Sequence, residues 1–146
     1  MSNLSQNVGN YLIQRLYDHG VRHIFGVPGD FVLGFYEQLM QSNKLKVINT
    51  CDEAAFAADA YALINGLGVV CVTYCVGGLK VINVTAQALA EKSPVVLISG
   101  APGIKRIHFF IIRFGTQQKI FEHMTIDSVL IDNLRTAAEK IDRVLS

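Results

Sequence analysis

The spacing of apolar residues alternates along this chain between a helical and a strand-like period. Val8, Tyr11, Leu12, Leu16 and Tyr17 recur near the helical repeat and Gly20 follows where a helix stops, so a first helix is predicted over Val8–Asp18. Val21–Val27 is a short β-rich run broken by Pro28-Gly29-Asp30, after which a second helix is predicted from Phe31 to Met40.

The same alternation then repeats. Lys46–Thr50 reads as a strand, Ala54–Ile64 as an alanine-rich helix ended by Asn65-Gly66-Leu67-Gly68, and Val69–Thr73 as a further strand. Gly77-Gly78 reads as a turn opening a helix that runs to Ala90, and Val95–Ser99 as a strand closed by Gly100-Ala101-Pro102-Gly103. Val/Ile runs separated by helices indicate strands buried on both faces, so the expected fold class is α/β: a doubly wound, mainly parallel sheet with helices on both sides. Ligands approach such sheets at the carboxyl ends of the strands. The turns at Pro28–Asp30, Cys51–Glu53, Tyr74–Gly78 and Gly100–Gly103 should therefore share one edge. Beyond them, Ile107–Phe114 is strongly apolar, Thr116–Glu122 is helix-like, Met124-Thr125-Ile126 allows another strand, and Arg135–Leu145 is a final amphipathic helix.

Composition narrows the functional classes. The length of 146 residues suits a single domain over the whole chain. With 13 Lys plus Arg against 12 Asp plus Glu there is no electrostatic case for nucleic acid or an anionic membrane as partner. Hydrophobic residues make up 51% of the chain, yet Gly, Pro or a charge interrupts every apolar run before it reaches a membrane-spanning length. The opening Met1-Ser2-Asn3-Leu4-Ser5 has neither the basic start nor the apolar stretch of a secretory signal, which makes the cytoplasm the expected location. Cys51, Cys71 and Cys75 match neither a disulfide framework nor a paired zinc-ligand pattern and read as core thiols, with Cys71 and Cys75 placed for one strand face.

Several short motifs in a fixed order carry a resemblance. They are Val8-Gly9-Asn10-Tyr11-Leu12, Phe25-Gly26-Val27-Pro28-Gly29-Asp30, Asp52-Glu53 with Ala57-Ala58-Asp59-Ala60-Tyr61-Ala62, Thr73-Tyr74 with Val76-Gly77-Gly78-Leu79, and the run from Ala90-Glu91-Lys92-Ser93-Pro94 to Gly100-Ala101-Pro102. Together they resemble the amino-terminal, pyrimidine-binding domain of the thiamine diphosphate-dependent pyruvate, indolepyruvate and phenylpyruvate decarboxylases, nearly from end to end. The resemblance implies the thiamine diphosphate-binding fold and a cofactor held between two kinds of domain. One binds its aminopyrimidine and the other binds its diphosphate through magnesium. The Gly-Asp-Gly and Asn-rich motif of the second kind has no counterpart here, and neither has the middle domain. A diphosphate-binding partner, a homo-oligomer and a 2-oxo acid substrate are therefore what the resemblance implies, and the chain alone is expected to be inactive.

By the same resemblance, Glu53 matches the glutamate that hydrogen-bonds a pyrimidine ring nitrogen and so makes the exocyclic amine a stronger acid. Pro28, Val76 and Gly77 match positions lying against the pyrimidine. Asp30 and His108 match groups that assist proton transfers after carbon dioxide leaves. No metal ligand is carried over to this chain. Each residue also has a plain structural reading. Thr50-Cys51-Asp52-Glu53 fits a capping box, with Glu53 reaching back to the Thr50 amide. Asp30 fits an N-cap, and His108 fits a packed side chain inside an apolar run.

There are departures from the family pattern as well. Phe109 stands in place of a second histidine, Asp52 in place of a common asparagine, Leu63 in place of a frequent arginine, and Cys75 and Lys80 in place of small residues. They allow a second reading of the chain, as an excised, redesigned or degenerate domain that keeps the fold and associates with itself without catalysis. The first reading predicts an exposed apolar surface, because sites of this kind are built across an interface.

Overall fold

The computed structural model describes residues 7–50, 53–103 and 115–146. Helix α1 (Val8–Asp18) starts at Asn7, whose side-chain oxygen accepts from the Asn10 amide at 2.8 Å and satisfies one of the donors a helix start leaves unpaired. The chain continues through β1 (His23–Gly26), α2 (Leu33–Ser42), β2 (Lys46–Asn49), α3 (Ala54–Asn65) and β3 (Gly68–Val72). A short α4 (Val76–Lys80), then α5 (Ile82–Glu91), β4 (Val95–Ser99), α6 (Thr116–Glu122) and α7 (Leu134–Leu145) complete the described elements.

The doubly wound parallel sheet expected from the sequence is present. Four strands lie in the order β2-β1-β3-β4, and every adjacent pair is parallel. From β1 the chain winds outward to β2, returns past β1 to β3 and continues to β4. Neighbouring β1 and β3 are therefore followed by segments that leave in opposite directions, which makes their carboxyl ends a topological switch point.

The period of two along a strand decides which layer each side chain joins. Ile24, Val69 and Cys71 pack with Ile13, Leu16, Tyr36 and Leu39 of α1 and α2, and Leu145 of α7 lies against this group. Val70 and Val72 point the other way and pack with Ala54, Ala55 and Ala58 of α3, Val84 of α5 and Phe121 of α6. With a strand on each side and helices on each face, β3 is buried at all five positions. Close approach of α3 to β3 depends on Gly68, because a Cβ there would lie on the Ala58 carbonyl oxygen.

Three expectations change. The helix predicted after Gly77-Gly78 is two helices separated by Val81, and both glycines lie inside α4 rather than in a turn before it. Two consecutive glycines lower helix propensity, which fits the shortness of α4. Met124-Thr125-Ile126 forms no strand: the Met124 amide and the Thr125 hydroxyl both donate to the Phe121 carbonyl, at 2.9 and 2.7 Å, and so close α6. Cys75 does not share a strand face with Cys71, because β3 stops at Val72 and Cys75 stands before α4 at a positive φ of 59°. Burial pushes the Cys71 thiol up to about 12, as a core thiol requires. Cys51 lies outside the described residues. Among the described residues no helix is long and apolar enough to cross a membrane.

Helix α7 is tied to α1 by charge-assisted bonds. The Tyr11 hydroxyl donates to Asp142 Oδ2 at 2.8 Å and Arg15 Nε donates to Oδ1 at 2.7 Å. These two bonds hold the Asp142 carboxyl below the ordinary carboxylate range, and Lys140 acts in the same way on Asp132. A pKa depressed by folding contributes stability above the unfolded carboxylate value of about 4, and that contribution is lost as pH falls through the folded value. Thermal unfolding followed by circular dichroism should therefore show a midpoint that drops below about pH 4. Asp142→Asn should lower the midpoint at neutral pH and flatten the acid limb. An acid limb as steep as that of the unaltered chain would remove Asp142 as a source of the pH dependence.

Candidate functional site

The carboxyl ends of β1, β2 and β3 meet around a cleft of about 230 Å³. Val27 and Pro28 come from the turn after β1, Glu53 from the start of α3 after β2, and Val72 and Thr73 from the end of β3. Val76, Gly77 and Lys80 of α4 line it too, and Ala54, Ala55, Val81 and Val84 complete the lining. Of these residues only Glu53 and Lys80 are charged. The cleft sits at the switch point, where the fold leaves room between segments that diverge.

Four residues singled out in the sequence, Glu53, Pro28, Val76 and Gly77, are thus brought together in one place. Close backbone approaches build that wall. A Cβ on Gly29 would come within 2.7 Å of Thr73 Cβ, so the turns after β1 and β3 touch. A Cβ on Gly77 would stand 3.1 Å from Thr73 Cγ2 and 3.3 Å from Val72 Cβ, which lets α4 settle over the end of β3.

The capping box expected at Thr50-Cys51-Asp52-Glu53 does not form. The Thr50 amide donates to the Gly26 carbonyl at 3.1 Å, extending the β1–β2 pairing, and so is not available to Glu53. Glu53 occupies the N-cap position of α3 without a side-chain capping bond and is exposed at the cleft. Asp30 is not an N-cap either. The Val32 amide donates to the Gly29 carbonyl at 2.9 Å, this turn precedes the helix, and Val32 rather than Asp30 stands at the cap of α2. Asp30 is exposed beside the cleft without lining it. His108 lies outside the described residues.

The Gly100–Gly103 turn, expected on the same edge, contributes to a different groove. Ala101, Pro102 and Gly103 line a space of about 840 Å³ with residues 129–132 and the end of α7.

One positioning residue was missed in the sequence. Gln117 of α6 is buried, its Nε2 donates to Ser99 Oγ at 2.7 Å, and its Oε1 accepts from the Cys75 amide at 2.7 Å. It thereby joins the end of β4 to the start of α4, which carries one wall of the cleft. The signal was a glutamine placed one turn before Ile120 and Phe121, on the side of α6 that turns inward.

Among the described residues the cleft is apolar with one acidic and one basic side chain, and it stands at the switch point of a doubly wound sheet, the place where α/β domains of this class take small ligands. Residues 6–129 match the family described as thiamine pyrophosphate enzyme, N-terminal TPP binding domain, and the chain belongs to that family. It is 37% identical to pyruvate decarboxylase 2 of Nicotiana tabacum over 100% of this chain and 25% of the relative. Against pyruvate decarboxylase 2 of Arabidopsis thaliana the identity is 39%, over 95% of this chain and 24% of the relative. Pyruvate decarboxylase 2 of Oryza sativa subsp. japonica gives 36%, over 96% and 25%. The chain therefore spans about a quarter of the length of these relatives.

The closeness of the two turns generates a paired test. Gly29→Ala should destabilise the chain by about 1–3 kcal/mol through overpacking against Thr73. Gly34→Ala, at a site in α2 with no atom within 4 Å of the added carbon, should stabilise it by about 0.5–1 kcal/mol. Urea denaturation measures both, and equal effects would contradict the contact.

Proposed function

We propose that this chain is the pyrimidine-binding half of a thiamine diphosphate-dependent 2-oxo acid decarboxylase, supplying Glu53 and working with a diphosphate-binding domain or subunit. The observation that carries the reading is the convergence of Glu53, Pro28, Val76 and Gly77 on one cleft at the switch point. The family resemblance singles out those four, and they come from three separate segments.

The lining fits an aminopyrimidine. A flat ring needs apolar surfaces on its faces and a hydrogen-bonding group at its rim, and Pro28, Val72 and Val76 supply the first while the Glu53 carboxyl supplies the second. When bound, the cofactor supplies the electron sink for release of carbon dioxide from a 2-oxo acid. Glu53 would hold a proton against the ring nitrogen, and the surrounding Val and Ala side chains would exclude water from that bond. Asp30, exposed at the same edge, is proposed to assist a later proton transfer, and His108 is proposed for the same task on resemblance alone. Among the described residues no group of three His, Cys, Asp or Glu side chains gathers to hold a metal ion. The proposal assigns magnesium and the diphosphate to the partner.

A partner surface is proposed on α3 and α4. Phe56, Leu63 and Ile64 on the outward side of α3, with Val76 and Leu79 of α4, are exposed apolar side chains, and Val76 is 76% exposed at the cleft itself. Exposed apolar surface of this kind marks a contact with protein. A partner domain fits that need, and a second copy in a homo-oligomer fits it too.

The second reading, a domain that self-associates without catalysis, draws support from Leu63, 67% exposed where the decarboxylases often carry arginine. Titration calorimetry with thiamine diphosphate and magnesium, run alongside sedimentation, tests both. The proposal expects binding that weakens about tenfold or more in Glu53→Gln, the loss of one charge-assisted hydrogen bond, or binding that emerges only after a diphosphate-binding domain is mixed in. Self-association with no binding in either setting would favour the second reading. The isolated chain is expected to release no carbon dioxide from pyruvate, measured by a coupled aldehyde assay. Turnover by the chain alone would contradict the need for a partner.

A further inference from the structure

The cleft contains a second charged group whose role the family resemblance does not supply. Lys80 is the last residue of α4 and lines the same cleft as Glu53. Its place is fixed by local backbone bonds. The Leu79 amide donates to the Cys75 carbonyl at 2.6 Å, the Val81 amide donates to the Gly78 carbonyl at 3.2 Å, and Gln117 anchors the Cys75 amide. Helix α4 is thus held at both ends, and Lys80 leaves it on the cleft side just before the chain passes to α5.

The chemistry of the two groups is complementary. The Glu53 carboxyl can share one proton with the ring nitrogen it meets, and an ammonium only donates, with three N–H groups to distribute. A contact made by Lys80 within the protein leaves donors for a ligand. Among the described residues of the lining, Glu53 and Lys80 are the two with charged side chains and the rest are apolar save for the Thr73 hydroxyl and the backbone, so a ring can register against this pair. A heterocycle with two polar positions on its rim matches that pair, one meeting Glu53 and the other an acceptor.

Building on the reading of the cleft as a ring slot, we infer that Lys80 is a ligand-binding residue of this chain. It donates to an acceptor atom on the rim of the bound heterocycle, an unprotonated ring nitrogen or a carbonyl oxygen, while Glu53 holds another ring position. Lys80 thereby selects rings that carry an acceptor and discriminates against rings with donors or carbon at that place. Glu53 and Lys80 act as two points of a clamp set by α3 and α4.

The test uses the full chain and thiamine, which lacks the diphosphate, so that general attraction of an anion to Lys80 does not contribute. Calorimetric titration compares the unaltered chain with Lys80→Met and Glu53→Gln, and circular dichroism melting checks that each variant is folded. Lys80→Met is expected to weaken thiamine at least fivefold, and a pyrimidine analogue with carbon in place of the acceptor nitrogen should bind the unaltered chain and Lys80→Met equally. Lys80→Arg, which keeps the charge and the donors, should retain more affinity than Lys80→Met. Unchanged thiamine affinity in Lys80→Met while Glu53→Gln still weakens it would overturn the role of Lys80 and leave the ring slot standing. A loss in Lys80→Met seen only with thiamine diphosphate would also overturn it, by assigning Lys80 to the anion. If no thiamine binds the unaltered chain, with or without a diphosphate-binding domain, both readings fail together.

Discussion

The contact between β1 and β3 at their carboxyl ends sets the terms for the rest of the molecule. Gly26 ends β1 beside Cys71 of β3, and a Cβ on Gly26 would collide with both the Cys71 carbonyl oxygen and the Tyr36 hydroxyl. Tyr36 reaches this point from α2 and donates its hydroxyl to the Cys71 carbonyl at 2.9 Å, and burial raises that hydroxyl well above its ordinary pKa. One glycine and one tyrosine thus lock a strand, its neighbour and the helix above them at the place where the winding reverses. The carbonyl that anchors Tyr36 lies two residues before Thr73, and the glycine that makes room for it lies two before Pro28. The cleft begins immediately beyond this lock.

Much of this architecture was legible because burial on two faces leaves a coarse mark on sequence. The apolar Val69–Thr73 run, expected as a strand covered on both sides, corresponds to β3 (Gly68–Val72), which is buried at all five positions and, like β1, has a neighbouring strand on each edge. Gly66 was legible for a different reason, since the end of α3 takes a φ of 98° that a glycine tolerates. What escaped was decided by partners far away in the chain. Thr50 and Glu53 have the spacing of a capping box, yet the Thr50 amide is claimed by Gly26 across the sheet. Asp30 has the look of a cap, yet the turn closed by Gly29 and Val32 pushes the helix start past it. Gln117 escaped because its two partners, Ser99 and the Cys75 amide, lie 18 and 42 residues away. Local pattern names the elements, and long-range hydrogen bonds then settle which polar groups remain for a ligand.

Loss of the capping box has a consequence for the site. A capping glutamate would spend its carboxylate on its own helix, whereas here the sheet takes the competing amide and Glu53 carries no such bond. The strand pairing that builds the switch point therefore also leaves the carboxyl at the cleft without its local partner. Fold and site share a cause in this respect.

Helix α3 carries the argument to the level of assembly. Its inner side, Ala54, Ala55, Ala58 and Ala62, is buried against the sheet and α5, and small side chains allow that approach. Its outer side is not polar, as it would be on a helix whose other face meets only water. Phe56, Leu63 and Ile64 stand there exposed, the last at 84%. A helix apolar on opposite sides is the helix of an interior, and the described residues of this chain supply cover for one side only. Phe56 lies within one turn of Glu53 at the head of that helix, so a partner that covers Phe56 also comes to lie next to the carboxyl. In the proposed assembly, closing the apolar surface and completing the cofactor site are consequently a single event, and the free energy of burying Phe56, Leu63 and Val76 would be gained in the step that brings the diphosphate-binding partner to Glu53.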